Sequence, residues 1–257
     1  MATQAPVAPV AVARDLTIGD LRRALAAGWR DFAAAPLFGL FFAGIYVGGG
    51  LFLSYALFAW GQASWLIPAA AGFPLIAPFI AVGLYEVSRR REAGLPLRWG
   101  PVLGAMRGRG DEQIISMGVI VFVAFGFWLM VAHGIFAIFL AGSGIGSESL
   151  ELFRTGAGVA MLVVGSVVGA LMALAFYAVT VMSLPMLVDR EVDFLTAIIV
   201  SLATVRSNTR AMLAWAVIIG AVLFVAMLPL FLGLLVALPV FGHATWHLYR
   251  RAVPPAQ

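Results

Sequence analysis

The sequence predicts an all-α membrane protein: a polytopic helical bundle with six transmembrane helices as three hairpins, each preceded by a cytoplasmic amphipathic interfacial helix. Three observations carry this. Of 257 residues, 63% are hydrophobic and 11% are charged, where a soluble domain carries about 25% charged residues. The mean hydropathy is +1.03, so the chain lacks the polar residues to cover a water-facing surface. Uncharged stretches recur at the ~20 residues that a helix needs to cross a ~30 Å hydrocarbon core. The basic residues number sixteen, all arginine, and they crowd onto alternate loops.

Met1 to Ala13 reads as a disordered tail, rich in Ala, Pro and Val, with no basic start to suggest a signal peptide. A single membrane domain follows over residues 14–257. The first span runs from about Pro36 to Trp60 and the second from about Trp65 to Ser88, with WGQAS (Trp60 to Ser64) as the turn between them. The third runs from about Gln113 to Ala141. The fourth lies within Thr155 to Val188, longer than a straight crossing needs, so it is tilted or carries an interfacial turn. Ala211 to Tyr249 holds no Asp, Glu, Lys or Arg. As one helix it would be ~58 Å long, so the sequence predicts a fold at Pro229 to Gly233 and two short spans.

Arginine sets the orientation. Arg14, Arg22, Arg23 and Arg30 precede the first span. Arg89, Arg90, Arg91, Arg98, Arg107 and Arg109 follow the second, Arg190, Arg206 and Arg210 the fourth, Arg250 and Arg251 the sixth. Only Arg154 lies opposite. Both termini are therefore expected in the cytoplasm, with Arg22, Arg23, Arg89, Arg90, Trp246 and Arg250 as interfacial anchors. Trp60 and Trp65 sit near span ends in the same way.

The chain also reads as one unit repeated three times, over 14–95, 96–192 and 193–251. Each unit opens with an amphipathic segment: TIGDLRRALAAGWRDF, LRWGPVLGAMRGR and DFLTAIIVSLATVRSNTR. In the first, Thr17 and Asp20 suit a capping box. Leu21, Leu25, Gly28 and Phe32 share a face, with Arg22, Arg23, Arg30 and Asp31 mostly elsewhere. Such helices are expected in the interface, arginines towards anionic head groups. The hairpin exits also align. PFIAVGLYEVSRR and PVFGHATWHLYRR share the spacing from Pro78 to Arg89 and from Pro239 to Arg250, which matches Tyr85 with Trp246 and Glu86 with His247. Within spans, Gly44-x-x-x-Gly48 and Gly165-x-x-x-Gly169 suit close helix packing inside the chain or, less directly, homodimerisation.

Ionisable residues inside a membrane are the default functional candidates. His133 falls near the outer end of the third span and reads as a packed side chain. His243 and His247 lie four apart, on one face of the sixth span. Glu86 lies at a similar depth on the second. A cluster of Glu86, His243 and His247 could relay a proton, bind a metal or anchor a haem propionate; a buried Glu–His hydrogen bond, or histidines facing head groups, is the structural alternative that this spacing favours. Asp189, Arg190, Glu191 and Asp193 read as a solvated charged knot, and Asn208 as a helix cap.

No cysteine is present, so disulfides and thiolate ligands are excluded. HATWH lacks the glutamate of HExxH, no Gly-rich loop carries a lysine, and no serine sits in G-x-S-x-G. No cofactor or metal site is expected. No basic surface is interleaved with aromatics, so nucleic acid is not an expected partner.

GWRDFAAAPLFGL (Gly28 to Leu40), GLYEVSRRREAG (Gly83 to Gly94), SLPMLVDRE (Ser183 to Glu191) and GHATWHLYR (Gly242 to Arg250) resemble the DUF2189 family of bacterial integral membrane proteins. The resemblance implies a six-span inner-membrane protein of unknown activity, and some members carry the label of a cytochrome c oxidase subunit. Three histidines, two of them on one helix, are too few for the centres of a catalytic oxidase subunit. The expectation is a non-enzymatic inner-membrane protein, an accessory or assembly factor with the lipid bilayer and a respiratory complex as partners. The alternatives are a small-molecule or ion transporter, and an enzyme acting on lipid or haem.

Overall fold

The computed structural model describes residues 10–61, 65, 69, 81–105, 113–142 and 154–254. These residues form helices and no strand. In chain order the helices are α1 (Ile18–Ala34), α2 (Pro36–Ala59), α3 (Val82–Glu92), α4 (Trp99–Gly104), α5 (Gln113–Leu140), α6 (Gly156–Thr180), α7 (Ser183–Asp189), α8 (Phe194–Ser207), α9 (Thr209–Met227) and α10 (Leu234–Ala252).

Four stretches are long and apolar enough to cross a membrane: Pro36–Ala59, Gln113–Leu140, Gly156–Asp189 and Thr209–Met227. They coincide with the first, third, fourth and fifth predicted spans. The second predicted span lies largely outside the described residues, which resume in its last turns as α3. The sixth, α10, is not among the four. It carries His243, His247, Arg250 and Arg251, which lower its apolarity, and its place in the fold explains how it tolerates them.

Local sequence sets the breaks. Thr17 and Asp20 form the reciprocal capping box at the start of α1. Pro36 opens α2 at a position where a missing N–H costs nothing. Thr155 and Asp193 cap α6 and α8 through the amides of Gly158 and Thr196. The long fourth stretch carries the expected turn, at Val181 and Met182 between α6 and α7. The fold at Pro229 to Gly233 is also present. Leu230 and Phe231 adopt φ of 51° and 64°, a left-handed conformation that costs roughly 1–2 kcal/mol per non-glycine residue. Gly233 then passes so close to Ala226 that a Cβ would lie 2.7 Å from its carbonyl oxygen.

α10 is the centre of the molecule. Twelve of its 19 residues are buried, and α1, α2, α3, α7 and α9 all pack against it. Glycines let the backbones approach. A Cβ on Gly28 of α1 would lie 2.6 Å from the Ala244 nitrogen and the Val240 oxygen, and one on Gly242 would lie 2.7 Å from Leu84. Small residues are the usual means of close helix approach in membranes. The stretches flagged for this role behave differently. Gly44, Gly48 and Gly165 have no neighbour within 4 Å of an added Cβ among the described residues, and only Gly169 meets a partner, Trp128, at 2.8 Å.

α5 and α6 pair with one another, joining that core at one end through Ile114, Met117 and Tyr177 and leaving it at the other. Around Leu140 and Met161 they form a small separate cluster with Ile135, Phe136, Phe139 and Leu162.

Candidate functional site

The arginine-rich ends of α1, α3 and α10 meet around one buried carboxylate, Asp31. Helical spacing places it: α1 buries Asp20, Leu21, Ala24, Gly28, Asp31 and Phe32 on one stripe. The stripe faces α10, with Arg22, Arg23 and Arg30 exposed opposite. The reading that set Asp31 apart from the inward face is therefore corrected. Seven residues after the buried Ala24 and three after the close-packed Gly28, Asp31 continues that stripe.

Asp31 accepts three hydrogen bonds. Ser88 Oγ of α3 donates to Oδ2 at 2.6 Å, Arg91 Nε of α3 donates to Oδ1 at 2.8 Å, and His247 Nε2 of α10 lies 2.8 Å from Oδ2. Ser88 Oγ also lies 2.8 Å from His243 Nδ1. The result is a continuous chain, His247–Asp31–Ser88–His243, with Arg91 at its side. Burial raises the Asp31 pKa, but the bonds from His247, Ser88 and Arg91 outweigh it and hold the carboxyl well below the usual range.

His243 and His247 are thus brought into one network, through Asp31 and Ser88. Glu86 is engaged elsewhere. Arg89 grips it with two bonds of 2.6 and 2.7 Å, and Arg90 adds a third at 3.3 Å. Its carboxylate therefore neutralises the arginines of its own helix. Among the described residues no group of three or more His, Asp or Glu is arranged to hold a metal.

Two further expected anchors are drawn inward. Trp246 is fully buried and its indole donates to Glu92 at 2.9 Å, so it ties α10 to α3 and does not reach a head group. Arg250 bridges Glu92 at 3.0 Å and Asp189 at 3.2 Å, and Tyr249 donates to the same Asp189 oxygen. Asp189 is therefore an internal tie between α7 and α10, where a solvated knot was expected. Asn208 gives α9 no side-chain cap. Its amide instead accepts from Leu16 N and donates to the oxygens of Ala13 and Thr204. This clamp holds residues 13–16 against the junction of α8 and α9. Ala13, with Val10 and Val12 packed on the core, is ordered where a disordered tail was expected; residues 1–9 lie outside the described residues.

His133 stacks flat on Trp65, ring centroids 4.2 Å apart, a packed role as expected.

Residues 65–189 match the model of the DUF2189 family, described as a predicted integral membrane protein. The resemblance read from the motifs is thereby shown over that stretch, which contains Ser88 and Arg91 but not Asp31, His243 or His247. No curated protein and no solved structure matches the chain.

Proposed function

We propose that this integral membrane protein is a non-enzymatic accessory or assembly factor of the bacterial inner membrane, acting by lateral contact between its spans and those of a partner such as a respiratory complex. The observation that supports this is the division of labour between the helices. The ionisable side chains of the arginine-rich end pair with one another and fasten α1, α3, α7 and α10 together. The crossing stretches present apolar faces outward: only 22% of the Gln113–Leu140 window and 11% of the Gly156–Asp189 window are buried. Large side chains such as Phe122, Met130, Ile138 and Leu171 stand exposed along them. These faces suit lipid or another membrane protein.

A transporter would instead place polar groups along the crossings, where ionisable residues are costly and functional. α2, α5 and α6 contain no Asp, Glu, Lys or Arg, and α9 holds only Arg210 at its start. An enzyme acting on lipid or haem would need a nucleophile or an acid–base pair open to substrate; Ser88 and His243 are instead sealed in the core.

The same proposal keeps six crossings in three hairpins, with the arginine-rich end and both termini in the cytoplasm. It is supported by the way the three unit exits, α3, α7 and α10, pack together, while α4 packs on α3, α8 on α7, and α1 on α10. Each amphipathic helix thus lies on the exit of the unit before it, and the first lies on the last.

Purification in mild detergent with mass spectrometry of what comes with it tests the functional reading. A membrane protein partner is the expected result; a monodisperse lone protein would count against it. The absence of cysteine makes topology testable by single introduced cysteines. Those at 22, 98 and 210 should be labelled only from the cytoplasm.

A further inference from the structure

The hydrogen-bond chain at Asp31 fixes where its protons sit. An ionised carboxylate only accepts, so Ser88 spends its one hydroxyl proton on Asp31 Oδ2. Towards His243 the Ser88 oxygen therefore accepts, and His243 Nδ1 must carry the proton that crosses the 2.8 Å gap. The other ring nitrogen, Nε2, is then bare. It is fully buried and has no hydrogen-bond partner among the described residues. A buried acceptor left unsatisfied costs ~1–3 kcal/mol, so its persistence calls for a use.

We propose that His243 is a buried proton-binding site whose neutral form is held as the Nδ1–H tautomer by Ser88 and Asp31, and which takes up a proton at Nε2. The inference goes beyond the accessory reading and does not depend on it. Uptake forms one N–H bond at Nε2 and breaks one O–H bond of the hydronium or water that donates. The imidazolium so made directs its Nδ1–H through Ser88 to a carboxylate already in place, so the new positive charge meets its counter-charge without rearrangement.

The charged groups nearest the ring are Asp31 of α1, reached through Ser88, with His247 of α10 and Arg91 of α3 on the same carboxylate. On α3, Glu86 is matched by Arg89 and Arg90. On α7, Asp189 is held by Arg190, Tyr249 and Arg250. α2 brings no Asp, Glu, Lys or Arg, and α9 only Arg210 at its far start. Among the described residues Asp31 is thus the one carboxylate wired to His243, and the arrangement makes the packing of α1, α3 and α10 responsive to protons.

The test is 15N NMR of the full chain, labelled at its three histidines and reconstituted in lipid nanodiscs. Replacing His133 and His247 in turn by Gln assigns the His243 signals without touching the buried ring. At neutral pH, His243 should show a protonated Nδ1 and a bare Nε2, the reverse of the tautomer that free imidazole side chains prefer, and acidification should protonate Nε2. Ser88→Ala should abolish the tautomer preference. Asp31→Asn should weaken proton binding by ~10-fold, the low end of what an opposite charge contributes. Nε2–H at neutral pH in the wild-type chain would overturn the proposal, and that reading needs no variant to fold. So would a preference that survives Ser88→Ala, or an unchanged proton affinity in Asp31→Asn.

Discussion

α6, of 25 residues, and α10, of 19, are opposites in apolarity and burial. The window that contains α6 has a hydropathy of 2.5 and is 11% buried. α10 carries two histidines and two arginines, is not among the four stretches that length and composition mark as crossings, and buries twelve of 19 residues. In water the apolar helix would be the hidden one. In a bilayer the lipid is as apolar as leucine, so nothing drives a wholly apolar helix inward, and helices are joined by close packing and hydrogen bonds. The helix with polar side chains, approached closely at Gly28 of α1 and at its own Gly242, therefore occupies the centre.

The contrast can be broken at its strongest point first. Gly28→Val puts a side chain into the α1–α10 crossing, where even a Cβ would stand 2.6 Å from backbone atoms of Val240 and Ala244. We expect ~3 kcal/mol or more of destabilisation, at the upper end for overpacking, read as loss of folded protein in a detergent melt. Asp31→Ala strips three donors of their shared acceptor. Removing one partner of a buried pair costs ~3–5 kcal/mol; with Arg91 at 32% and His247 at 26% exposure, ~2 kcal/mol is expected from the same melt.

Acid should reproduce part of that loss. The Asp31 carboxyl titrates lower in the fold than its unfolded value near 4. Its contribution is therefore fully present above that range and is lost as pH falls through and below it. The wild-type melting temperature should drop below pH ~4 more steeply than that of Asp31→Asn; parallel curves would remove Asp31 from the account. Trp246→Phe should cost ~1 kcal/mol, the worth of a typical hydrogen bond, because Glu92 keeps Arg250. At the other end, Gly165→Ala should change stability by less than ~0.5 kcal/mol, since no described atom faces it. A large effect there would mean that an unseen neighbour covers α6.

What the sequence revealed follows the range of each interaction. The ends of α2, α5 and α6, the capping box at Thr17 and the fold before Gly233 are set by residues within a few positions, and they match the expected bounds. His243 and His247 share a face because four residues make nearly one helical turn. Asp31 was hidden because its partners lie 57 and 216 positions away, and an aspartate beside arginines reads as a surface charge until the opposing helix is known. Trp246 looked like a belt aromatic for a related reason. Its depth was legible, but not that α3 would stand against it with Glu92. The glycine pairs at 44 and 165 have the spacing that close packing uses, yet spacing does not say which way a stripe points.

Ala13 donates to the Ala252 oxygen at 2.8 Å, and Arg251 reaches back to Asp15 and Asp20. With α1 seated on α10, the first helix of the described chain is clasped to the last. On the three-unit reading proposed above, the order in which the units are synthesised is then a convention of the reading frame more than a requirement of the architecture. Joining residue 252 to residue 13 and reopening the chain at an inter-unit loop should yield a permuted protein that reaches the same packed state.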